Sequence, residues 1–126
     1  MAYLRKEKHV VEIDYPLIKV WEGIPKVITT LDWKLEEIDN KTHQLKVNTQ
    51  AGLLAYGSTL NIEVWIIDEN TTRIRINAET PVTTITALAD FGRIRDRIEL
   101  FFEVLAKELN ENKENSKKNK QFFVRT

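Results

Sequence analysis

DFGRIRDRIELFFEVLAKEL, the stretch from Asp90 to Leu109, carries apolar residues at Phe91, Ile94, Ile98, Phe101, Phe102, Leu105 and Leu109. Steps of three and four set these on one stripe of an α-helix. Arg93, Arg95, Arg97, Glu99, Glu103, Lys107 and Glu108 then point largely to water. A helix of about 20 residues is roughly 30 Å long, enough to cross a small domain. A stripe that long has to be buried, and the strands preceding it in the chain are the surface it can use. The expectation is an α+β fold in which a C-terminal helix lies across a curved antiparallel sheet.

The preceding chain supplies that sheet. Lys8 to Asp14 alternates His9, Val11 and Ile13 with Val10, Glu12 and Asp14, the pattern of a half-buried strand. After Tyr15-Pro16, the residues Leu17, Val20, Trp21, Ile24, Val27, Ile28 and Leu31 recur at helical spacing, with Asp14 placed to cap the first amides. Gly23 and Pro25 interrupt this stripe, which predicts two short helices meeting at a bend.

Trp33–Ile38, Thr42–Thr49, Ser58–Asp68 and Thr72–Thr80 read as further strands. Their inward sets are His43, Leu45, Val47 and Thr49, then Leu60, Ile62, Val64 and Ile66, then Ile74, Ile76 and Ala78. Asp39-Asn40-Lys41 and Asp68-Glu69-Asn70-Thr71 have turn chemistry, so the strands are joined as hairpins. Keeping even-numbered residues inward on both sides of the last hairpin requires an odd loop or a bulge. Gln50–Gly57 and Pro81–Ala89 fit no regular pattern. The helix-bearing domain is expected over residues 1–109, followed by a polar, disordered tail from Asn110 to Thr126.

Composition narrows the function classes. The 126 residues fit one domain, and 19 basic against 19 acidic residues leave no net field to attract nucleic acid. The absence of cysteine excludes disulfides, thiolate metal sites and thiol nucleophiles, and fits a reducing, cytoplasmic setting. No run approaches the ~18 apolar residues of a membrane span. There is no GxxxxGK[ST], GxGxxG or GxSxG motif, so nucleotide cofactors and a serine elbow are not expected.

VEIDYPLIKVWEGIPKVITTLDWKLEEID, then GSTLNIEVWIID with TRIRINAET, then DFGRIRDRIELFFEVLAKEL, follow one another as strand, bent helix, four strands and long helix. This order resembles the small prokaryotic members of the SRPBCC group, the START-like and birch-pollen-allergen-like helix-grip domains. It also resembles the TATA-binding-protein-like fold, and fold analogy alone transfers no function. The helix-grip resemblance implies a cavity between sheet and long helix that takes a small apolar ligand. The chain has room for only about five strands, about two fewer than fully developed members. The resemblance carries over no catalytic residue, metal or cofactor.

Residues placed to line such a cavity are Trp21, Leu53, Leu54, Tyr56, Ile85, Leu88, Phe91, Ile94 and Ile98, with Thr49 and Thr80 as polar neighbours. Core packing accounts for the same residues. His9, His43 and Arg95 are the polar pocket candidates. Each histidine can equally be a strand-end group bonded to backbone or water, and neither has a second ligand at metal spacing. Arg93, Arg95 and Arg97 crowd the start of the long helix, where they either contact an anion or pair with Asp90, Asp96 and Glu99. Trp65 and Ile67 face away from the inward set of their strand. They read either as a subunit interface, giving a homodimer, or as a tryptophan packed under Arg73 or Arg75. Three readings follow: a non-catalytic binder of an apolar ligand, an interaction module with a closed cavity, or a cyclase or dehydratase using His9, His43 or Tyr56.

Overall fold

The computed structural model describes residues 3–49, 58–82 and 95–111, and the side chains of 8–49, 58–80 and 95–111. Its strands are β1 (Tyr3–Ile13), β2 (Lys34–Asp39), β3 (Gln44–Asn48), β4 (Thr59–Asp68) and β5 (Thr71–Val82), with helix α1 (Leu17–Thr30) between the first two. A C-terminal helix, α2, covers residues 95–111. The strands form one sheet in the order β1-β5-β4-β3-β2, antiparallel throughout.

Alternation sorts the sheet into transverse rows on its inner face. Val47, Leu60 and Ala78 stand opposite one another, and the next row holds Leu45, Ile62, Ile76 and His9. Val64, Ile74 and Val11 follow. The last hairpin meets its register demand with a bulge between Ile66 and Asp68, so Asp68 pairs with Thr71 across a two-residue turn. Ile66, expected inward, is 56% exposed, because the bulge and the end of the sheet leave nothing above it.

α2 closes the inner face with Ile98, Phe101, Leu105 and Leu109, all buried. Phe101 stacks on Trp33, the rings 6.3 Å apart and nearly parallel. Fully burying a side chain of this size contributes about 1.5–3 kcal/mol. Asn110 and Glu111, assigned to the tail by composition, still belong to the helix, because Leu109 is buried and Tyr15 Oη donates to Asn110 Oδ1 at 3.3 Å.

α1 departs from expectation in two ways. It is a single helix through Pro25 rather than two. Proline inside a helix costs about 3 kcal/mol, and burial of Ile24, Val27 and Ile28 around it outweighs that loss. Asp14 does not cap it: Pro16 occupies the N-cap with no side-chain bond, and Val20 N–H donates to Pro16 O. The other end is a complete Schellman motif, with Trp33 N–H on Ile28 O, Asp32 N–H on Thr29 O, and Asp32 left-handed at φ 59°. Gly23, read as a helix breaker, is buried where α1 meets Leu105 and Leu109 of α2.

Candidate functional site

Two features beside α2 have the composition of a site. At its C-terminal end, β1 and the helix part to leave an open groove of about 290 Å³, lined by Val11, Ile13, Tyr15, Phe102, Ala106 and Asn110. β1 is the edge strand here, so among the described residues no further strand covers the helix on that side. The groove is apolar except at the rim, where Tyr15 meets Asn110. Thr72 Oγ1–H donates to Tyr15 O at 2.7 Å and fixes the turn that carries the phenol.

The second feature is a polar row at the other end of the inner face. One step beyond the Asn48–Thr59 and Thr59–Glu79 pairs, Thr49, Ser58 and Thr80 stand side by side, each no more than 1% exposed. Ser58 N–H donates to Thr49 Oγ1 at 2.8 Å, and the Ser58 and Thr80 hydroxyls share a bond of 2.5 Å. From α2, half-buried Arg97 donates from Nη1 to Ser58 Oγ at 2.7 Å.

The candidates read from sequence fall differently. Ile98 is buried in the core between the sheet and α2. Trp21 is buried, but it is committed to the β2–β3 turn: its indole N–H donates to Asn40 Oδ1 at 3.0 Å and its ring meets His43 edge-on at 5.1 Å. His43 sits at the end of that turn with φ 56° rather than inside a strand. His9 is half-buried on β1 opposite Ile76. Strands β5 and β4 separate the two histidines, so they do not converge. Arg95 is exposed, and the arginine turned inward is Arg97. Leu53, Leu54, Tyr56, Ile85, Leu88, Phe91 and Ile94 lie outside the described residues.

Ser58 is not among the residues that spacing places at a pocket, and Arg97 enters there only within the arginine cluster at the start of the long helix. A signal was present, because each inward series ends in a hydroxyl: Leu45-Val47-Thr49, Leu60 preceded by Ser58, and Ala78-Thr80. Only the strand register shows that these ends meet.

The outer face is a ladder of charge. Trp65 is half-buried beneath both Arg73 and Arg75, whose guanidinium carbons lie 5.7 and 5.4 Å from its ring centroid. Arg73 in turn binds Glu12 at 2.6 Å, and Arg75 binds Glu63. Ile67, beside it, is 41% exposed. A further notch of about 290 Å³ opens among Glu37, Ile38, Asp39, Gln44, Leu45, Lys46 and Asn61. There Asp39 Oδ1 accepts the amides of Lys41 and Thr42, and these bonds hold its carboxyl below the ordinary value of 3.8. Among the described residues no group of His, Asp and Glu is gathered to hold a metal, and no helix is long and apolar enough to cross a membrane.

No protein-family model matches the chain, and no curated protein matches its sequence. Solved structures do resemble it. Norcoclaurine synthase from Thalictrum flavum, a point mutant in complex with a transition-state analogue, is 13% identical, with 90% of this chain and 98% of that chain covered and a TM-score of 0.65. Ara h 8.0201 is 10% identical, with 86% and 99% covered and a TM-score of 0.60. The Zhui aromatase/cyclase from Streptomyces sp. R1128 is 13% identical, with 86% and 90% covered and a TM-score of 0.52. At such identities the shared property is the path of the chain. Five antiparallel strands in the order β1-β5-β4-β3-β2, closed by a C-terminal helix, give this protein the helix-grip fold that these structures share.

Proposed function

We propose that this chain binds a small apolar molecule, without chemistry, between β1 and α2. The observation that supports this reading is the groove lined by Val11, Ile13, Phe102 and Ala106, with one phenol and one amide at its rim. Ligand sites are mostly apolar with a few orienting polar groups, and a space of about 300 Å³ is the lower end of their range. The fold is compatible with small aromatic ligands, since norcoclaurine synthase was solved in complex with dopamine and hydroxybenzaldehyde. An enzymatic reading has less support, because His9 and His43 are held apart and neither lines the groove.

Native mass spectrometry and thermal melts with a panel of fatty acids and aromatic alcohols test the proposal. A ligand present at 100 times its Kd stabilises by about 2.7 kcal/mol, a shift of several degrees in a domain of this size. Ala106→Trp fills the groove and should abolish the shift while the protein still melts cooperatively. No shift with any member of the panel would reject this function.

A second reading, self-association through the outer face, has in its favour the exposure of Val10 and Ile67, at 50% and 41%. Ile67→Asp should then lower the mass measured by light scattering. A monomeric mass before and after the substitution excludes that surface.

A further inference from the structure

We propose that a segment of this chain's own tail, Phe122 to Val124, folds back into the groove between β1 and α2 and competes there with the apolar ligand. The inference rests on the groove reading above and names a second occupant of that site. Residues 112–126 lie outside the described residues. Three properties fit them to the groove: their composition, their reach and their charge.

Asn112 to Gln121 reads NKENSKKNKQ, without one apolar residue, and Phe122, Phe123 and Val124 then follow together. An aromatic ring brings about 150–250 Å² of surface to bury, and a polar segment gives it nothing to pack on. The groove presents the matching surface, with Val11 and Ile13 from β1 and Phe102 and Ala106 from α2. The backbone has a place as well. β1 is the edge strand, so its outer N–H and C=O groups have no strand partner among the described residues. An extended segment can add to such an edge.

The tail leaves from the rim of the groove itself. Asn110 is part of the lining, and the described chain ends at the next residue, Glu111. Phe102 and Asn110, eight residues apart in the sequence, are separated by about 12 Å along the helix. Ten residues, 112 to 121, link Glu111 to Phe122. A flexible link of that length has a root-mean-square span of roughly 16–19 Å. A link matched to its site in this way gives an effective concentration in the millimolar range. Contacts too weak to hold a free peptide are then strong enough to hold the tail.

Charge favours the same placement. The tail carries Lys113, Lys117, Lys118, Lys120 and Arg125 against Glu114. Taken from the chain's 19 residues of each sign, these leave 14 basic and 18 acidic residues in 1–111. The neutral chain is therefore a positive tail on a negative body. Glu99 and Glu103 are exposed on α2 and lead, by steps of four, three and four, to Ala106 and Asn110. That spacing puts both carboxylates on the stripe that borders the groove. Exposed ion pairs add little affinity, but they steer the lysine-rich link along this side of the helix.

The test uses the full-length 13C-labelled protein. NMR should show nuclear Overhauser contacts from the Phe122 and Phe123 rings to the methyl groups of Val11, Ile13 and Ala106. The double substitution Phe122→Ser, Phe123→Ser should remove these contacts while the protein still melts cooperatively. It should also tighten binding of the fatty acids and aromatic alcohols about tenfold, the factor set by a tail at about 1 mM with an intrinsic Kd of about 0.1 mM. Absence of the contacts overturns the inference, as do contacts that go instead to Ile38 and Leu45 in the notch. Contacts that run between labelled and unlabelled chains in a mixture also overturn it, because the occupant is then a second copy. Ligand binding of equal strength in both forms rejects the tail and leaves the ligand reading standing. Contacts present with no ligand bound by either form reject the ligand reading and leave the tail in its groove.

Discussion

The indole N–H of Trp21 and the side-chain oxygen of Asn40 are 3.0 Å apart, and this bond ties α1 to the β2–β3 turn. The partners are unequal, since Asn40 is exposed whereas Trp21 is only 8% exposed. Asn40→Ala leaves a buried donor without an acceptor, at a cost of about 1–3 kcal/mol. Asn40→Asp keeps an acceptor and should cost much less. Urea denaturation of the two variants decides the point: equal stabilities would show that the bond is not made in solution.

Gly23 gives a prediction of opposite sign for small and large side chains. A Cβ placed there would lie 3.4 Å from Leu109 and 3.5 Å from Leu105, which is ordinary contact. Gly23→Ala should therefore stabilise the helix by about 0.5–1 kcal/mol. Gly23→Leu would push α1 away from α2 and should destabilise by about 1–3 kcal/mol. Thermal melts that rank Leu above Ala would contradict this packing.

Asp32 occupies the left-handed position of the Schellman motif at φ 59°. An L-residue there is strained, by about 1–2 kcal/mol for most side chains. Glycine relieves the strain but loses more chain entropy on folding. Asp32→Gly should raise stability by up to about 1 kcal/mol, read as a higher urea midpoint with unchanged slope.

The Asp39 carboxyl, held low by the amides of Lys41 and Thr42, gives a pH prediction. A depressed folded pKa adds stability that is present above the unfolded value and is lost as pH falls through the folded one. Its contribution should be complete at neutral pH and should fade only below 3.8. The side chain is fully exposed, so solvent screening keeps the effect on stability small. Carboxyl 13C chemical shifts should show a midpoint below 3.8, and a normal midpoint would mean the turn is open.

Much of this fold was legible from spacing, because burial imposes its period on the chain. Leu60, Ile62 and Val64 alternate, and so do Ile74, Ile76 and Ala78, and each of these residues is buried on one sheet face. Ile98, Phe101, Leu105 and Leu109 recur at helical steps and lie on that face. The element order led to the helix-grip resemblance, which the solved structures share. Local signals misled where packing competes with them. Pro25 and Gly23 read as a break because propensity sees one helix alone, whereas the burial of their neighbours against sheet and α2 holds that helix together.

The one-dimensional pattern determined which residues are apolar on which side of each element, and hence the layers. It also removed thiol chemistry and any strong polyanion field from consideration. Tertiary structure alone decided which series ends meet. Thr49 follows β3, Ser58 precedes β4, Thr80 lies in β5 and Arg97 in α2, and only the strand register and the seating of the helix bring them together. The same holds for Trp21, whose N–H direction depends on a turn nineteen residues away. The physical reason is range: periodicity is set by each element's own burial, whereas hydrogen-bond partners depend on how separate elements are placed to within an ångström.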